Sequence, residues 1–219
     1  MLASTPPLFD DALDAPIREE LAPGAGVLRG FAWGDAEDLL AAIRRVAARS
    51  PFRNVITPGG RTMSVAMTNC GAAGWFSDRR GYRYTAIDPE TGRPWPPIPA
   101  LFMRLARGAA HEAGFRDYAP DVCLINRYEV GARLALHQDR DERDRRAPIV
   151  SVSLGLPATF LFGGFLRRDP QRRVPLAHGD VVVWGGPSRM RYHGVLPVRD
   201  GVHATTGAVR YNLTFRVAR

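Results

Sequence analysis

The run Ile149-Val150-Ser151-Val152-Ser153-Leu154-Gly155-Leu156 decides the fold, together with Thr159–Phe162, Val174–Leu176 and Val181–Trp184 behind it. Each is a short apolar segment closed by Gly, Pro or Asp, which is the texture of strands. Val122–Tyr128 and Leu134–His137 extend the series upstream, and Tyr211–Val217 extends it to the end. No helical period intervenes, so βαβ units are not expected. The sequence predicts a mainly β core of sandwich or barrel type over residues 120–219.

The front half reads differently. Asp35–Arg49 has Leu39, Leu40, Ile43 and Val46 at helical spacing, with Asp35 placed to cap and Ser50-Pro51 to stop it. Pro99–Ala113 is a second helix, closed by Gly114. Between them lie a turn at Pro58-Gly59-Gly60, a strand over Thr62–Asn69, and an aromatic stretch, Gly71–Pro99, read as irregular. Residues 1–34 read as an irregular arm. The expected organisation is arm 1–34, a covering segment 35–119 and the β core 120–219, in one integrated domain.

The composition is that of a soluble globular protein: 45% hydrophobic and 24% charged among 219 residues. No apolar run reaches the length of a membrane span, and the start lacks the pattern of a secretory signal. Two cysteines, Cys70 and Cys123, make no disulfide framework, so a cytoplasmic protein is expected. The net charge is +8, and every basic side chain except histidine is Arg. An excess of this size favours a polyanionic partner. Nothing requires a second subunit, and a monomer is expected.

His137-Gln138-Asp139 carries the first chemical signal. Residues i and i+2 on a strand share a face, so imidazole and carboxylate converge on one point. A second histidine completes a two-His-one-carboxylate triad, which leaves positions on Fe(II) open for a co-substrate and O2. His193, before Gly194-Val195, is the better third ligand; His111 lies on a helix and His203 in a polar loop. His178-Gly179-Asp180 is a rival pair, read as the turn into Val181–Trp184.

The C-terminal run Arg210-Tyr211-Asn212-Leu213-Thr214-Phe215-Arg216 alternates. Tyr211, Leu213 and Phe215 form an apolar face; Arg210, Asn212, Thr214 and Arg216 form a polar one. That polar face is either the solvated side of an exposed strand or the wall of a pocket for a dianion, which Arg grips through paired hydrogen bonds. Asn126 and Tyr128 share a face on another strand in the same way.

Taken in order, Asn126-Arg127-Tyr128-x-x-Gly131-x-x-Leu134-x-x-His137-x-Asp139-x-Asp141-Glu142, Arg191-x-His193-Gly194 and Arg210-x-Asn212-x-x-x-Arg216 resemble the AlkB family, most of all its bacterial alkylated-DNA-repair members. Met63–Cys70, Ala147–Leu156 and Gly179–Gly186 add to the resemblance, which runs from about Gly30 to the C-terminus. It implies a double-stranded β-helix (jelly-roll) core with an N-terminal nucleotide-recognition lid. It implies Fe(II) on His137, Asp139 and His193, with 2-oxoglutarate and O2 as co-substrates. Arg210 would hold the 2-oxoglutarate carboxylate with Asn126, Tyr128 and Asn212 around it, and Arg216 would lie near the iron-proximal end of the co-substrate or near the substrate, the family motif marking both arginines without dividing the work between them.

The family also implies the reaction: decarboxylation of 2-oxoglutarate coupled to hydroxylation of an N-methyl carbon, releasing formaldehyde and the plain base. The substrate would be 1-methyladenine or 3-methylcytosine in DNA, with RNA as a second candidate, flipped or single-stranded. Trp75 and Tyr82 would stack on the base beside Met67. Asp141 would favour a cationic methylated base over its neutral parent, and Arg167 would hold the substrate rim. Two other readings stand beside this one. The same iron site would serve a hydroxylase of proteins or small molecules, and a non-catalytic nucleic-acid-binding β-sandwich would explain the charge but not the triad.

Overall fold

A computed structural model describes residues 17–219. The part of the N-terminal arm before them lies outside the described residues. The order of elements is β1 (Arg18–Ala22), β2 (Ala25–Leu28), α1 (Ala36–Arg49), β3 (Ala66–Gly71), β4 (Gly74–Asp78), β5 (Gly81–Thr85), α2 (Ala100–Glu112), β6 (Val122–Glu129), β7 (Leu134–His137), β8 (Ile149–Gly155), β9 (Ala158–Phe162), β10 (Arg172–Leu176), β11 (Val181–Trp184), β12 (His193–Val195) and β13 (Val209–Arg216).

Two antiparallel sheets face each other. The larger has the order β1-β2-β11-β8-β13-β6-β3 and the smaller β10-β9-β12-β7. From β6 onward the chain passes between the sheets, laying β6, β8, β11 and β13 in one and β7, β9, β10 and β12 in the other. Eight strands wound in this way form the expected jelly roll. A separate hairpin, β4–β5, stands in the stretch Gly71–Pro99.

The larger sheet is buried on both faces, and its strands alternate between two environments. Ile125, Val150, Val152, Val181, Val183, Leu213 and Phe215 pack in one cluster with Leu39, Ile43, Phe102 and Leu105 of the helices. Leu124, Tyr128, Ile149, Val182 and Trp184 point the other way, toward Phe160, Phe162, Val174 and Val195 of the smaller sheet. The helices thus press the larger sheet from outside, and the space between the sheets is left for the site.

Three details depart from the sequence reading. Residues 18–28, read as part of an irregular arm, form a hairpin that pairs with β11. Gly71–Pro99, read as irregular, contains the β4–β5 hairpin. Both are short strands whose pairing partners, not their own pattern, define them. Asp35 makes no side-chain cap on α1; it pairs instead with Arg104 of α2 at 3.2 Å.

Gly155 ends β8 with φ +88°, opposite Arg210 of β13. A Cβ there would collide with the Val209 carbonyl oxygen and the Thr206 hydroxyl. Gly155→Ala is therefore expected to cost about 1–3 kcal/mol through backbone strain and displacement of β13, read as a lower midpoint of thermal or denaturant unfolding.

Candidate active site

His193 of β12 and His137 of β7 are direct cross-strand neighbours in the smaller sheet. Their rings lie 4.3 Å apart, centroid to centroid. Asp139 follows two residues beyond β7, and its carboxylate oxygens lie 3.6 Å from His137 Nε2 and 3.8 Å from His193 Nε2. The ligand atoms of all three side chains fall within 4.8 Å of one another. Each imidazole is oriented from behind: His137 Nδ1 sits 2.9 Å from the Ala135 carbonyl, and His193 Nδ1 sits 3.1 Å from that of Arg191. A donor Nδ1–H there frees Nε2 as a metal ligand. Burial, with the neighbouring His137 adding to it, pushes the His193 pKa down to about 3, so its ring is neutral at pH 7.

Asp139 is held in turn by Arg216. Its Oδ2 accepts from Arg216 Nε at 2.9 Å, and Arg216 Nη2 lies 2.9 Å from the same oxygen as an ion pair. Burial works against the carboxylate's charge, but Arg216 and the two histidines hold its pKa well below the usual range. Arg216 Nε also lies 3.3 Å from Glu142, a buried carboxylate. Glu142 accepts from Arg189 Nη2 at 3.1 Å and from the Tyr84 hydroxyl at 2.7 Å. Arg189 donates besides to the carbonyls of Asp139 (3.0 Å) and Ala147 (3.1 Å), pinning the loop after β7 at both ends. A chain of charge-assisted bonds therefore runs from β5 of the hairpin to the metal-binding carboxylate.

The polar face of β13 looks into the same space. Arg210 is 1% exposed; its Nη2 donates to Ser153 Oγ at 3.0 Å, and its guanidinium lies 4.9 Å from the Tyr128 ring centroid. Among the described residues its Nε and Nη1 find no partner, and neither does Asn126 Oδ1. A buried guanidinium with two idle donors is costly unless an anion completes it. Asn212, on the same face, lines the cavity as well. Its Nδ2 donates to Ser151 Oγ and the Val152 carbonyl, and its Oδ1 accepts from Asn126 and Thr214. With both ends engaged, Asn212 holds the wall in register.

Asn126, Tyr128, Arg210, the triad and Arg216 line one cavity of about 680 Å³, a usual size for a small-molecule site. Trp184 and Phe160 flank His193, at 4.8 and 6.1 Å between ring centroids. Met67 lies on β3 opposite Asn126 and lines the cavity too. At the mouth, Trp75 of β4 and Tyr82 of β5 stack, 5.5 Å apart and 18° from parallel. Trp75 Nε1 donates to Asp141 at 3.1 Å, which fixes that carboxylate beside the aromatic pair. Arg167, also at the mouth, lies over the Tyr192 ring at 5.3 Å.

A model of the 2OG-Fe(II) oxygenase superfamily matches residues 24–216. Alpha-ketoglutarate-dependent dioxygenase AlkB of Salmonella typhimurium is 60% identical over 96% of this chain and 97% of its own length. The chain belongs to the AlkB family of the 2OG-Fe(II) oxygenases. The Escherichia coli protein of the same name is 59% identical over the same shares. The solved structure of OsALKBH1 superposes with a TM-score of 0.81 at 29% identity, covering 91% of this chain and 99% of that one.

The groups this oxygenase family uses fit the residues present. Two imidazoles and a carboxylate are the donor set of a facial iron site with open positions. The idle donors of Arg210 suit one carboxylate of 2-oxoglutarate. The rival pair at His178 is excluded by its own bonds. His178 Nδ1 accepts the Gly155 N–H at 2.9 Å, and Asp180 is spent on Arg29, Gly30 and Ala177.

Sequence reasoning missed Ser151, Ser153, Arg189 and Tyr84 as members of the site. Ser151 and Ser153 carry a signal, the Val-Ser-Val-Ser alternation within an otherwise apolar run. Arg189 and Tyr84 carry none, because their partners come from remote segments.

Arg216→Lys keeps the charge and removes the fork that aligns Asp139. Calorimetric titration with Mn(II) is expected to show affinity lowered about 10–100-fold. Tyr84→Phe removes the hairpin's bond to Glu142. Amide exchange over Gly74–Thr85 is expected to quicken about tenfold, the worth of one charge-assisted hydrogen bond.

Proposed function

We propose that this protein is a 2-oxoglutarate-dependent Fe(II) dioxygenase that removes N-linked methyl groups from 1-methyladenine and 3-methylcytosine in DNA, with RNA as a second substrate. The observation that carries this reading is the shared cavity. The triad, the half-satisfied Arg210 and the Trp75–Tyr82 stack with Asp141 all open into one space.

His137, Asp139 and His193 hold the iron. Bound there, Fe(II) with 2-oxoglutarate and O2 supplies the oxidation of the methyl carbon. Arg210 would pair with a carboxylate of 2-oxoglutarate, and Tyr128 would add its hydroxyl. Burial raises the Tyr128 pKa against the pull of Arg210, so that hydroxyl stays protonated as a donor. Arg216 keeps Asp139 ionised and oriented throughout. Trp75 and Tyr82 take up the base that leaves its stack, and Met67 packs against it. Asp141 offers a carboxylate to the positive charge that methylation at N1 of adenine or N3 of cytosine creates. Arg167 holds the strand at the rim. Once hydroxylated, the carbon on nitrogen is a hemiaminal, and loss of formaldehyde returns the plain base.

The test incubates purified protein with oligonucleotides bearing 1-methyladenine or 3-methylcytosine, Fe(II) and 2-oxoglutarate. Formaldehyde release that requires both Fe(II) and 2-oxoglutarate is expected. Decarboxylation of 2-oxoglutarate with no turnover of either base would reject the substrate. Asp139→Ala is expected to abolish turnover, and Asp141→Ala to weaken selection for cationic bases while leaving metal binding unchanged in the Mn(II) titration.

A further inference from the structure

The turn between β10 and β11 holds a histidine that the iron site does not use. His178 is half-buried and stacks on His203 of the loop between β12 and β13, with ring centroids 4.4 Å apart and planes 28° from parallel. The indole of Trp33, from the segment before α1, meets the His178 ring edge-on at 5.2 Å.

Hydrogen bonds fix the charge of both rings. His178 Nδ1 accepts the Gly155 N–H at 2.9 Å, and His203 Nδ1 accepts the Thr205 N–H at 3.2 Å. A ring nitrogen that accepts carries no proton, so each ring is neutral with its proton on Nε2. Protonation would set a second donor against the backbone N–H. Burial, and after it the neighbouring His203, hold the His178 pKa below the ordinary imidazole value. No acid offsets this. Asp180, in the same turn, pairs with Arg29 at 2.7 Å and accepts from the N–H groups of Gly30 and Ala177. Among the described residues the histidines that meet a carboxylate are His137 and His193, and Trp33 brings no charge.

Both rings sit behind the wall that carries Arg210. Gly155 is the cross-strand partner of Arg210. The His178 turn grips the same strand at Ser153, whose N–H donates to the Asp180 carbonyl at 2.9 Å and whose carbonyl accepts the Gly179 N–H at 2.8 Å. Ser153 Oγ in turn accepts from Arg210 Nη2 at 3.0 Å. The His203 loop is closed by two backbone bonds with Gly207, at 2.9 and 2.8 Å, and runs directly into β13. The stacked rings therefore join the two backbones that present Ser153 and Arg210 to the cavity.

We infer that His178 and His203 form a clasp of neutral rings that positions Arg210 for 2-oxoglutarate and releases it in acid. The inference rests on the placing of 2-oxoglutarate at Arg210 above and adds a positioning pair behind that residue. A ring that must be neutral to accept supports the clasp fully above the ordinary imidazole pKa of about 6.5. That support is lost as pH falls from there toward the lowered value of the folded protein.

The experiment titrates 2-oxoglutarate by calorimetry into wild type, His178→Asn, His178→Ala and Arg210→Gln at saturating Mn(II), at about pH 7.5 and about pH 5.8, on either side of the imidazole range. At the higher pH His178→Asn is expected to bind as wild type, because Asn Oδ1 replaces Nδ1 as acceptor. His178→Ala is expected to bind about fivefold more weakly, in the range of one lost hydrogen bond, and to raise KM for 2-oxoglutarate with kcat within about twofold of wild type. At the lower pH wild type is expected to lose about threefold more affinity than His178→Asn, which has no imidazole to titrate. A second readout needs neither metal nor turnover: the Gly155 amide resonance should move with the His178 imidazole as pH falls. Equal acid losses in wild type and His178→Asn, unchanged affinity in His178→Ala, or a Gly155 resonance that stays in place while His178 titrates would each overturn the clasp. Arg210→Gln is expected to bind poorly at both pH values. Wild-type affinity in that variant would instead overturn the placing of 2-oxoglutarate, and the clasp with it.

Discussion

The guanidinium of Arg216 is a full charge buried between two sheets, and it meets Asp139 and Glu142 there. Burying such a charge alone costs several kcal/mol, so the surrounding carboxylates are obligatory. That requirement fixes the loop after β7, because Asp139 and Glu142 both belong to it. Arg189 completes the arrangement by balancing Glu142 and gripping the backbone of the same loop. The metal-binding carboxylate is thus held by a network whose first purpose is to keep buried charge paired.

The same network reaches the hairpin that bears Trp75 and Tyr82. Tyr84 lies on β5 and donates to Glu142, and Trp75 on β4 donates to Asp141 in the adjacent position. Two neighbouring acids of one loop therefore tie the β4–β5 hairpin to the iron site, one through a part-buried bond and one at the surface. Disturbance at either end passes through a few hydrogen bonds, a physical connection of the kind coupling needs.

Much of this was legible in the residues. The strand series after Val122, both helices and the triad followed from periodicity and spacing, since these depend on local pattern. The ordered motif set gave the family and its co-substrate. The β1–β2 and β4–β5 hairpins were not legible, nor were the parts played by Arg189 and Tyr84. Each owes its structure or its role to partners distant in the chain: β2 to β11, Tyr84 and Arg189 to Glu142. Asn212 shows the opposite case. Its position on the polar face was read correctly, but only the surrounding Ser151, Thr214 and Asn126 reveal that both ends of its amide are already engaged.

The sequence by itself determined that β13 has one apolar and one polar face, because side chains alternate with a period of two. It did not determine whether Arg210 and Arg216 face water or an interior. Folding decided that, by laying the smaller sheet and its two histidines across the polar face while the helices cover the apolar one. The physical reason is that alternation is a property of one strand, whereas burial is a property of what packs upon it. The division between the two arginines has the same origin: Arg216 reaches Asp139, while Arg210 keeps donors free only because Ser153 and Tyr128 leave them so.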